Sequence, residues 1–85
     1  MKRAVLLYNP QAGKGEIERN IPHIIRIFND VEYDLTPIRL MFDRNPFDGW
    51  EDVDLAVVAG GDGTINYVVN ALMTKGLSVA LAVIP

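Results

Sequence analysis

Apolar residues group into three nearly unbroken runs, at residues 4–8, 54–59 and 78–84. None of these runs alternates with polar residues, so each predicts a strand that is covered on both faces, as in a parallel sheet. A fourth run, residues 33–42, is less apolar and contains Pro37, which cannot donate a hydrogen bond to a neighbouring strand. The pattern therefore predicts three buried strands and one strand at an edge of the sheet.

Helical spacing occurs in two other segments. In the first, apolar residues recur every three or four positions and form one stripe: Ile17, Ile21, Ile24, Ile25 and Phe28. Pro22 interrupts this stripe, and proline costs about 3 kcal/mol inside a helix. The helix is therefore expected either to begin near Asn20 or to bend there. The second helix is predicted over residues 64–75, ending at Lys75 and Gly76, a common C-terminal stop.

Residues 43–53 show no long helical stripe. We predict a turn or a short helix in this segment, with Phe47 and Trp50 as core residues that fix it in place. A parallel crossover needs only about a dozen residues, so the segment is long enough to connect two strands.

Strands that alternate with helical segments are typical of an α/β fold. The prediction is a three-layer parallel sheet, flavodoxin- or Rossmann-like, with strand order 2-1-3-4. Strands 1 and 3 are neighbours in that order, so the loops at residues 9–15 and 60–64 leave the same edge of the sheet. We expect the two loops to meet at a ligand-binding crevice.

The second of these loops is Gly60-Gly61-Asp62-Gly63-Thr64. Its glycines permit close approach of a ligand to the backbone, and the following helix offers free N–H groups and a partial positive charge. The loop therefore predicts a phosphate site. The alternative is an ordinary strand-to-helix turn in which Asp62 or Thr64 is the N-cap.

Composition narrows the function classes. The chain has 85 residues, and eight Lys+Arg against eleven Asp+Glu give a net charge of -3. The basic residues are scattered, which argues against nucleic acid as a partner. The sequence has no cysteine, which excludes a disulfide framework and a thiolate metal site. No apolar run is long enough to span a bilayer, so the composition indicates a cytoplasmic protein.

The common phosphate fingerprints do not match. Lys14 would be the lysine of a Walker A loop, but Tyr8 and Gly15 occupy the positions of its first glycine and its Ser or Thr. A dinucleotide fingerprint would require its third glycine where this chain has Glu18 or Asn66. The two glycine loops therefore belong to another kind of phosphate-binding protein.

Residues 9–15 read Asn-Pro-Gln-Ala-Gly-Lys-Gly, and residues 60–66 read Gly-Gly-Asp-Gly-Thr-Ile-Asn. Together they resemble the lipid kinase family that includes diacylglycerol and sphingosine kinases. This family shares a superfamily with NAD kinases and, more distantly, with 6-phosphofructokinases. The resemblance spans almost the whole chain in the right order. It departs at Tyr67, where the family usually carries Glu, and at Ala71, where it often carries Gly.

The resemblance implies transfer of the γ-phosphoryl group of ATP to a lipid hydroxyl, with Mg²⁺. In this sequence the loop glycines are expected to hold the phosphates, the Thr64 hydroxyl to contact a phosphate oxygen, and Asp62 to orient Mg²⁺ directly or through water. The nucleotide-binding residues that we predict are Asn9, Pro10, Gly13, Lys14, Gly15, Gly60, Gly61, Asp62, Gly63, Thr64 and Asn66.

The resemblance also implies a larger enzyme. Members of the family continue into a second, β-rich lobe, so residues 1–85 are expected to be the amino-terminal, nucleotide-binding part of the catalytic domain. The general base is expected in that lobe, and we predict no kinase activity for the 85 residues alone. The lobe would also bring the enzyme to its lipid substrate at a membrane surface. The apolar last strand, in isolation, is expected to promote self-association.

Two alternatives stay open at this stage. An NAD kinase relative would share the Gly-Gly-Asp-Gly-Thr loop, although the loop at residues 9–15 argues against it. A non-catalytic flavodoxin-like module for binding or assembly would share the fold without binding nucleotide.

Overall fold

The computed structural model describes residues 1–11 and 15–84. In these residues strands and helices alternate, as the sequence pattern predicts. The elements are β1 (Lys2–Tyr8), α1 (Glu16–Asp30), β2 (Tyr33–Arg39), β3 (Leu55–Ala59), α2 (Asp62–Lys75) and β4 (Ala80–Ile84).

The described strands form one parallel sheet in the order β2-β1-β3-β4. This confirms both the predicted fold class and the predicted strand order. Tyr8, at the end of β1, lies opposite Arg39 of β2 on one side and Ala59 of β3 on the other. Pro37 lies in β2 at the edge of the sheet, where its missing N–H leaves the sheet least disturbed.

Helix α1 packs on one face of the sheet. Its residue Ile24 is buried in a cluster with Leu6 of β1 and Val57 of β3. The helix runs without a break from Glu16 to Asp30 and includes Pro22, so a start near Asn20 is wrong. The apolar stripe packs against the sheet from its first member to its last, and this packing offsets the cost of the proline.

Helix α2 and the crossover after β2 cover the opposite face. Phe47 is completely buried there, with Val58 of β3 and Val68 of α2 in the same cluster, and Trp50 packs against it partly buried. Both residues therefore belong to the core, as predicted. The crossover consists of turns, which is the first of the two predicted forms.

Strand β4 is less buried than its sequence predicts. Leu81 and Val83 expose 38% and 45% of their surface, so β4 is not covered on both faces in these residues, and the expectation that the last strand is exposed in isolation is confirmed. The reason is its position, because the described residues place β4 at an edge of the sheet beside β3 alone. Neither helix in the described part of the chain is long and apolar enough to cross a membrane.

Candidate functional site

The loops that follow β1 and β3 leave the sheet side by side. Tyr8 and Ala59 are register partners at the carboxyl ends of these neighbouring strands. Asn9 and Gly60 are the next residues along the chain, so the two predicted loops begin at the same edge, as the strand order requires. Gly13 and Lys14 lie outside the described residues, so their predicted contacts stay predictions.

Gly60 is required by the fold itself. Its φ of 152° is a conformation that other residues rarely adopt, and its N–H donates to the Ile84 carbonyl oxygen at 3.3 Å. A Cβ atom at this position would lie 2.8 Å from Thr64 Oγ1 and 2.9 Å from Thr64 Cβ. Glycine here lets helix α2 approach the end of β3 closely.

Gly61 and Gly63 differ from Gly60. Gly61 has an ordinary φ of -89°, and Gly63 lies within helix α2, so neither backbone conformation requires glycine. A Cβ atom at either position would have no described atom within 4 Å. Among the described residues, these two glycines therefore leave open space beside the helix start, which is where a bound group would need it.

The start of α2 presents unpaired backbone donors. Gly61 is the N-cap, and no side chain in the described part of the chain caps the helix, so the alternative of Asp62 or Thr64 as N-cap is wrong. The Ile65 N–H donates to the Gly61 carbonyl oxygen at 3.0 Å. The N–H groups before Ile65 have no acceptor within the helix, and the helix dipole adds a partial positive charge. This end of α2 is suited to an anion.

Asp62 and Thr64 face different environments. Asp62 is exposed in the first turn of α2, whereas Thr64 is buried, with 8% of its surface exposed, and packs against Gly60. In the described residues no group of three or more His, Asp or Glu side chains could enclose a metal ion. A single exposed carboxylate nevertheless fits Mg²⁺, which commonly takes one or two protein carboxylates together with phosphate oxygens and water.

The loop after β1 is shaped by Asn9. Its Oδ1 accepts a hydrogen bond from the Gln11 N–H at 3.0 Å, which folds the chain into a turn next to the partly buried Pro10. Gly15 ends the loop with a φ of 81° and serves as the N-cap of α1, again without a side-chain cap. The structure thus gives Asn9 and Gly15 roles in forming the loop, and their predicted nucleotide contacts stay predictions.

Helix α2 is joined to the crossover by contacts that the sequence did not reveal. The Tyr67 hydroxyl donates to the Arg44 carbonyl oxygen at 2.9 Å, and Asn45 Nδ2 donates to the Ala71 carbonyl oxygen at 3.0 Å. These partners are 23 and 26 residues apart in the sequence, beyond any local pattern. Asn66, which was predicted to contact nucleotide, is exposed next to Tyr67.

The last turn of α2 adds an ionic contact. Lys75 Nζ lies 2.6 Å from Asp48 Oδ1 and 2.9 Å from Glu51 Oε2. The hydrogen bonds to Asp48 and Glu51 raise the pKa of Lys75, and the hydrogen bond from Lys75 lowers the pKa of Glu51. The crossover therefore contacts helix α2 from Tyr67 to Lys75, in the last turn of the helix.

Comparison with known proteins identifies the family. The family model described as the diacylglycerol kinase catalytic domain matches residues 3–85. The chain belongs to this family. Membership confirms the resemblance predicted from the two glycine loops and favours it over an NAD kinase relative.

Two curated diacylglycerol kinases are similar over the whole length, or nearly the whole length, of this chain. A diacylglycerol kinase of Bacillus subtilis (strain 168) is 31% identical over 90 residues, which cover 100% of this chain and 30% of the relative. One from Staphylococcus aureus (strain bovine RF122 / ET3-1) is 33% identical over 92 residues, covering 99% and 28%. The chain thus spans about three tenths of the length of these curated relatives.

The crystal structure of a diacylglycerol kinase from Bacillus anthracis str. Sterne has the same fold over this region. The superposition has a TM-score of 0.71 at 27% identity, and it covers 99% of this chain and 32% of that one. The three-layer arrangement is therefore shared with a solved member of the diacylglycerol kinase family.

Proposed function

We propose that this chain is the nucleotide-binding portion of an ATP-dependent lipid kinase that transfers the γ-phosphoryl group to a lipid hydroxyl, such as that of diacylglycerol. The observation that carries the proposal is the start of α2. Its backbone N–H groups are uncapped, and open space lies beside Gly61 and Gly63. The relatives are diacylglycerol kinases, and the proposed class of substrate is inferred from them.

The proposed roles follow from the demands of phosphoryl transfer. That reaction depends mainly on positioning the phosphates and neutralising their charge. The backbone N–H groups at residues 61–64 would donate to phosphate oxygens, and the Thr64 hydroxyl would reach a phosphate oxygen from the floor of the loop. Asn9, Pro10 and the turn that ends at Gly15 would form the opposite wall of the crevice.

Asp62 is the proposed ligand of Mg²⁺. Its carboxylate is exposed at the start of α2, beside the open space at Gly63. When bound, Mg²⁺ would neutralise negative charge on the phosphates. Asp62 would fix the position of the nucleotide by holding one side of this metal.

Titration of Mg-ATP against the chain by calorimetry tests this function. We expect Asp62→Asn to weaken binding of Mg-ATP by about tenfold, which corresponds to about 1.4 kcal/mol. Asp34→Asn is the matched control, because Asp34 is exposed in β2 opposite Arg3, near the amino end of the sheet. In EDTA the difference between wild type and Asp62→Asn should disappear.

Two other outcomes would favour the alternatives. Binding of NAD in preference to ATP would support a relative of the NAD kinases. Absence of ATP binding, with no effect of Asp62→Asn, would support a non-catalytic flavodoxin-like module.

The general base is proposed to lie outside these 85 residues. The relatives are more than three times as long as this chain, which leaves room for a second lobe that supplies the base and the contact with lipid at a membrane surface. We therefore expect the purified chain to bind Mg-ATP without phosphorylating diacylglycerol in mixed micelles. Lipid phosphorylation by wild type that Asp62→Ala abolishes would contradict this expectation.

Cytoplasmic location with peripheral membrane contact is part of the same proposal. Self-association is proposed through the outer side of β4, where Leu81 and Val83 are exposed on a strand without charged residues. Sedimentation of the wild type and of Val83→Lys at high concentration tests it. Identical monomeric behaviour of both proteins would refute it.

A further inference from the structure

The contacts between α2 and the crossover recur along one face of the helix. They involve Tyr67, Ala71 and Lys75, which are spaced by four residues. Gly63 is four residues before Tyr67, so it lies on the same face, one turn closer to the start of the helix. The crossover contacts the Tyr67, Ala71 and Lys75 positions of this face, whereas the Gly63 position is open.

After β2 the chain runs from the carboxyl end of β1 to helix α2. The Leu40 N–H donates to the Tyr8 carbonyl oxygen at 2.9 Å, so the chain is still beside the end of β1 at residue 40. By residue 44 it has reached α2, where the Arg44 carbonyl oxygen accepts from Tyr67. The segment therefore crosses the carboxyl edge of the sheet, between the end of β1 and the first turns of α2.

Tyr67 holds this segment in two ways. Its hydroxyl donates to the Arg44 carbonyl oxygen at 2.9 Å, and its ring packs edge-on against Phe42, with ring centroids 4.7 Å apart and an interplanar angle of 63°. Phe42 exposes 58% of its surface. The contact with Tyr67 is therefore a principal one in fixing the orientation of the Phe42 ring. Without the hydroxyl, the ring packing would remain and Asn45 would still donate to Ala71, but the Arg44 carbonyl oxygen would lose its hydrogen bond to α2.

We propose that Tyr67 is a positioning residue that holds residues 42–44 as one wall of the nucleotide crevice, beside the open space at Gly63. This inference rests on the proposed nucleotide-binding function and adds a residue to it. A wall held in place before binding lowers the conformational entropy that must be lost when the nucleotide binds. Tyr67 would therefore affect affinity for Mg-ATP without contacting the nucleotide itself.

Tyr67→Phe is the decisive variant, because it removes only the hydroxyl and retains the ring against Phe42. We expect it to weaken Mg-ATP binding about fivefold, as for the loss of one neutral hydrogen bond. Amide exchange in the free protein gives a second readout. The Arg44 N–H donates to the Met41 carbonyl oxygen at 3.3 Å, and we expect its exchange to accelerate in the variant by about the same factor.

Lys75→Met is the matched control. It removes the contact at the other end of the same helix face and should lower thermal stability slightly, while the affinity for Mg-ATP stays within twofold of wild type. A merely structural role for Tyr67 would instead make affinity follow thermal stability in both variants, and that result would overturn the proposal.

The remaining outcomes separate the inference from the proposed function. If Tyr67→Phe accelerates Arg44 exchange but leaves Mg-ATP affinity unchanged, the inference fails and the proposed function stands. If exchange itself is unchanged, the anchoring by the hydroxyl is refuted. If wild type does not bind Mg-ATP, the proposed function fails, and the inference fails with it.

Discussion

Helices α1 and α2 pack on opposite faces of one sheet, but different contacts hold them there. Helix α1 packs through apolar side chains, and its side-chain hydrogen bond in the described residues stays within the helix, from Asn20 Nδ2 to the Glu16 carbonyl oxygen. Helix α2 adds polar contacts at Tyr67, Ala71 and Lys75 to its apolar packing.

The difference lies in how directional the contacts are. Apolar packing is non-directional, so it fixes the face that a helix buries more firmly than its exact position. Hydrogen bonds fix distances and angles as well. Helix α2 is therefore fixed by directional contacts from Tyr67 to Lys75 before any ligand binds. The start of α1 relies on Gly15 and the turn at Asn9.

The largest effect on stability is expected from truncation of Phe47, which fills the core between the sheet and helix α2. Phe47 is fully buried, and Phe47→Ala should lower the free energy of unfolding by about 3–5 kcal/mol. Ile24→Ala in the α1 layer should cost less, about 2 kcal/mol, because Ile24 retains slight exposure and lies on the helix surface. Urea denaturation measures both.

Phe47→Leu keeps the test informative if Phe47→Ala does not fold. This smaller change should destabilise by about 1 kcal/mol. Equal losses of unfolding free energy in Phe47→Ala and Ile24→Ala would mean that the α1 and α2 faces of the sheet contribute equally to stability, and would contradict the expected difference.

A second, smaller effect is expected at the start of α2 itself. Gly60→Ala should lower stability by about 1–3 kcal/mol, because the new Cβ would collide with Thr64 and the backbone conformation would be strained. Gly63→Ala should leave stability within about 1 kcal/mol of wild type, since open space surrounds the position and alanine favours a helix.

Substitution of these two glycines should also differ in its effect on the affinity for Mg-ATP. We expect Gly63→Ala to weaken binding by about tenfold, although the protein remains folded, because a methyl group would occupy the space beside the uncapped N–H groups. Thermal denaturation and calorimetry on the same samples measure both quantities. A stable Gly63→Ala protein with wild-type affinity would remove Gly63 from the nucleotide site.

The sequence predicted the architecture well because the relevant signals are local. Continuous apolar runs indicated the central strands, and Pro37 indicated the edge position of β2. The apolar run of β4 predicted burial that these residues do not supply, because an apolar run shows what a strand could cover and not what lies beside it. Its position at the end of the strand order was predicted correctly. The start of α2 was placed too late, since Gly61 caps the helix without the side-chain signal that usually marks an N-cap. Of the two alternatives for α1, the start near Asn20 was wrong, because the packing of the apolar stripe offsets the cost of Pro22.

The candidate site was only partly readable from the sequence. The pattern of three glycines suggested a single role, whereas the structure separates Gly60, which the fold requires, from Gly61 and Gly63, which leave space. That separation depends on the position of Thr64 relative to the end of β3, which no sequence spacing gives. The contacts of Tyr67 and Lys75 were missed for a similar reason, because their partners are distant in sequence.

The smallest expected effect concerns the ionic contact at the end of α2. The pKa of Glu51 is lowered from its ordinary value of 4.5, so its contribution to stability is complete above pH 4.5 and is lost as the pH falls through the folded-state value. The pKa of Lys75 is raised from 10.5, so its contribution is complete below pH 10.5 and is lost as the pH rises through the folded-state value.

Lys75→Met should therefore lower the melting temperature slightly at neutral pH, and the difference from wild type should narrow below pH 4.5 as Glu51 becomes protonated. The effect should be small because the carboxylate partners are largely exposed and solvent screens the pair. Lys2→Met, the same substitution at an exposed strand end, should show no such pH dependence. A difference between Lys75→Met and wild type that stays constant from pH 7 to pH 3 would show that ionisation of Glu51 does not control the contact, leaving Tyr67 and Asn45 as the polar contacts that fix the crossover on α2.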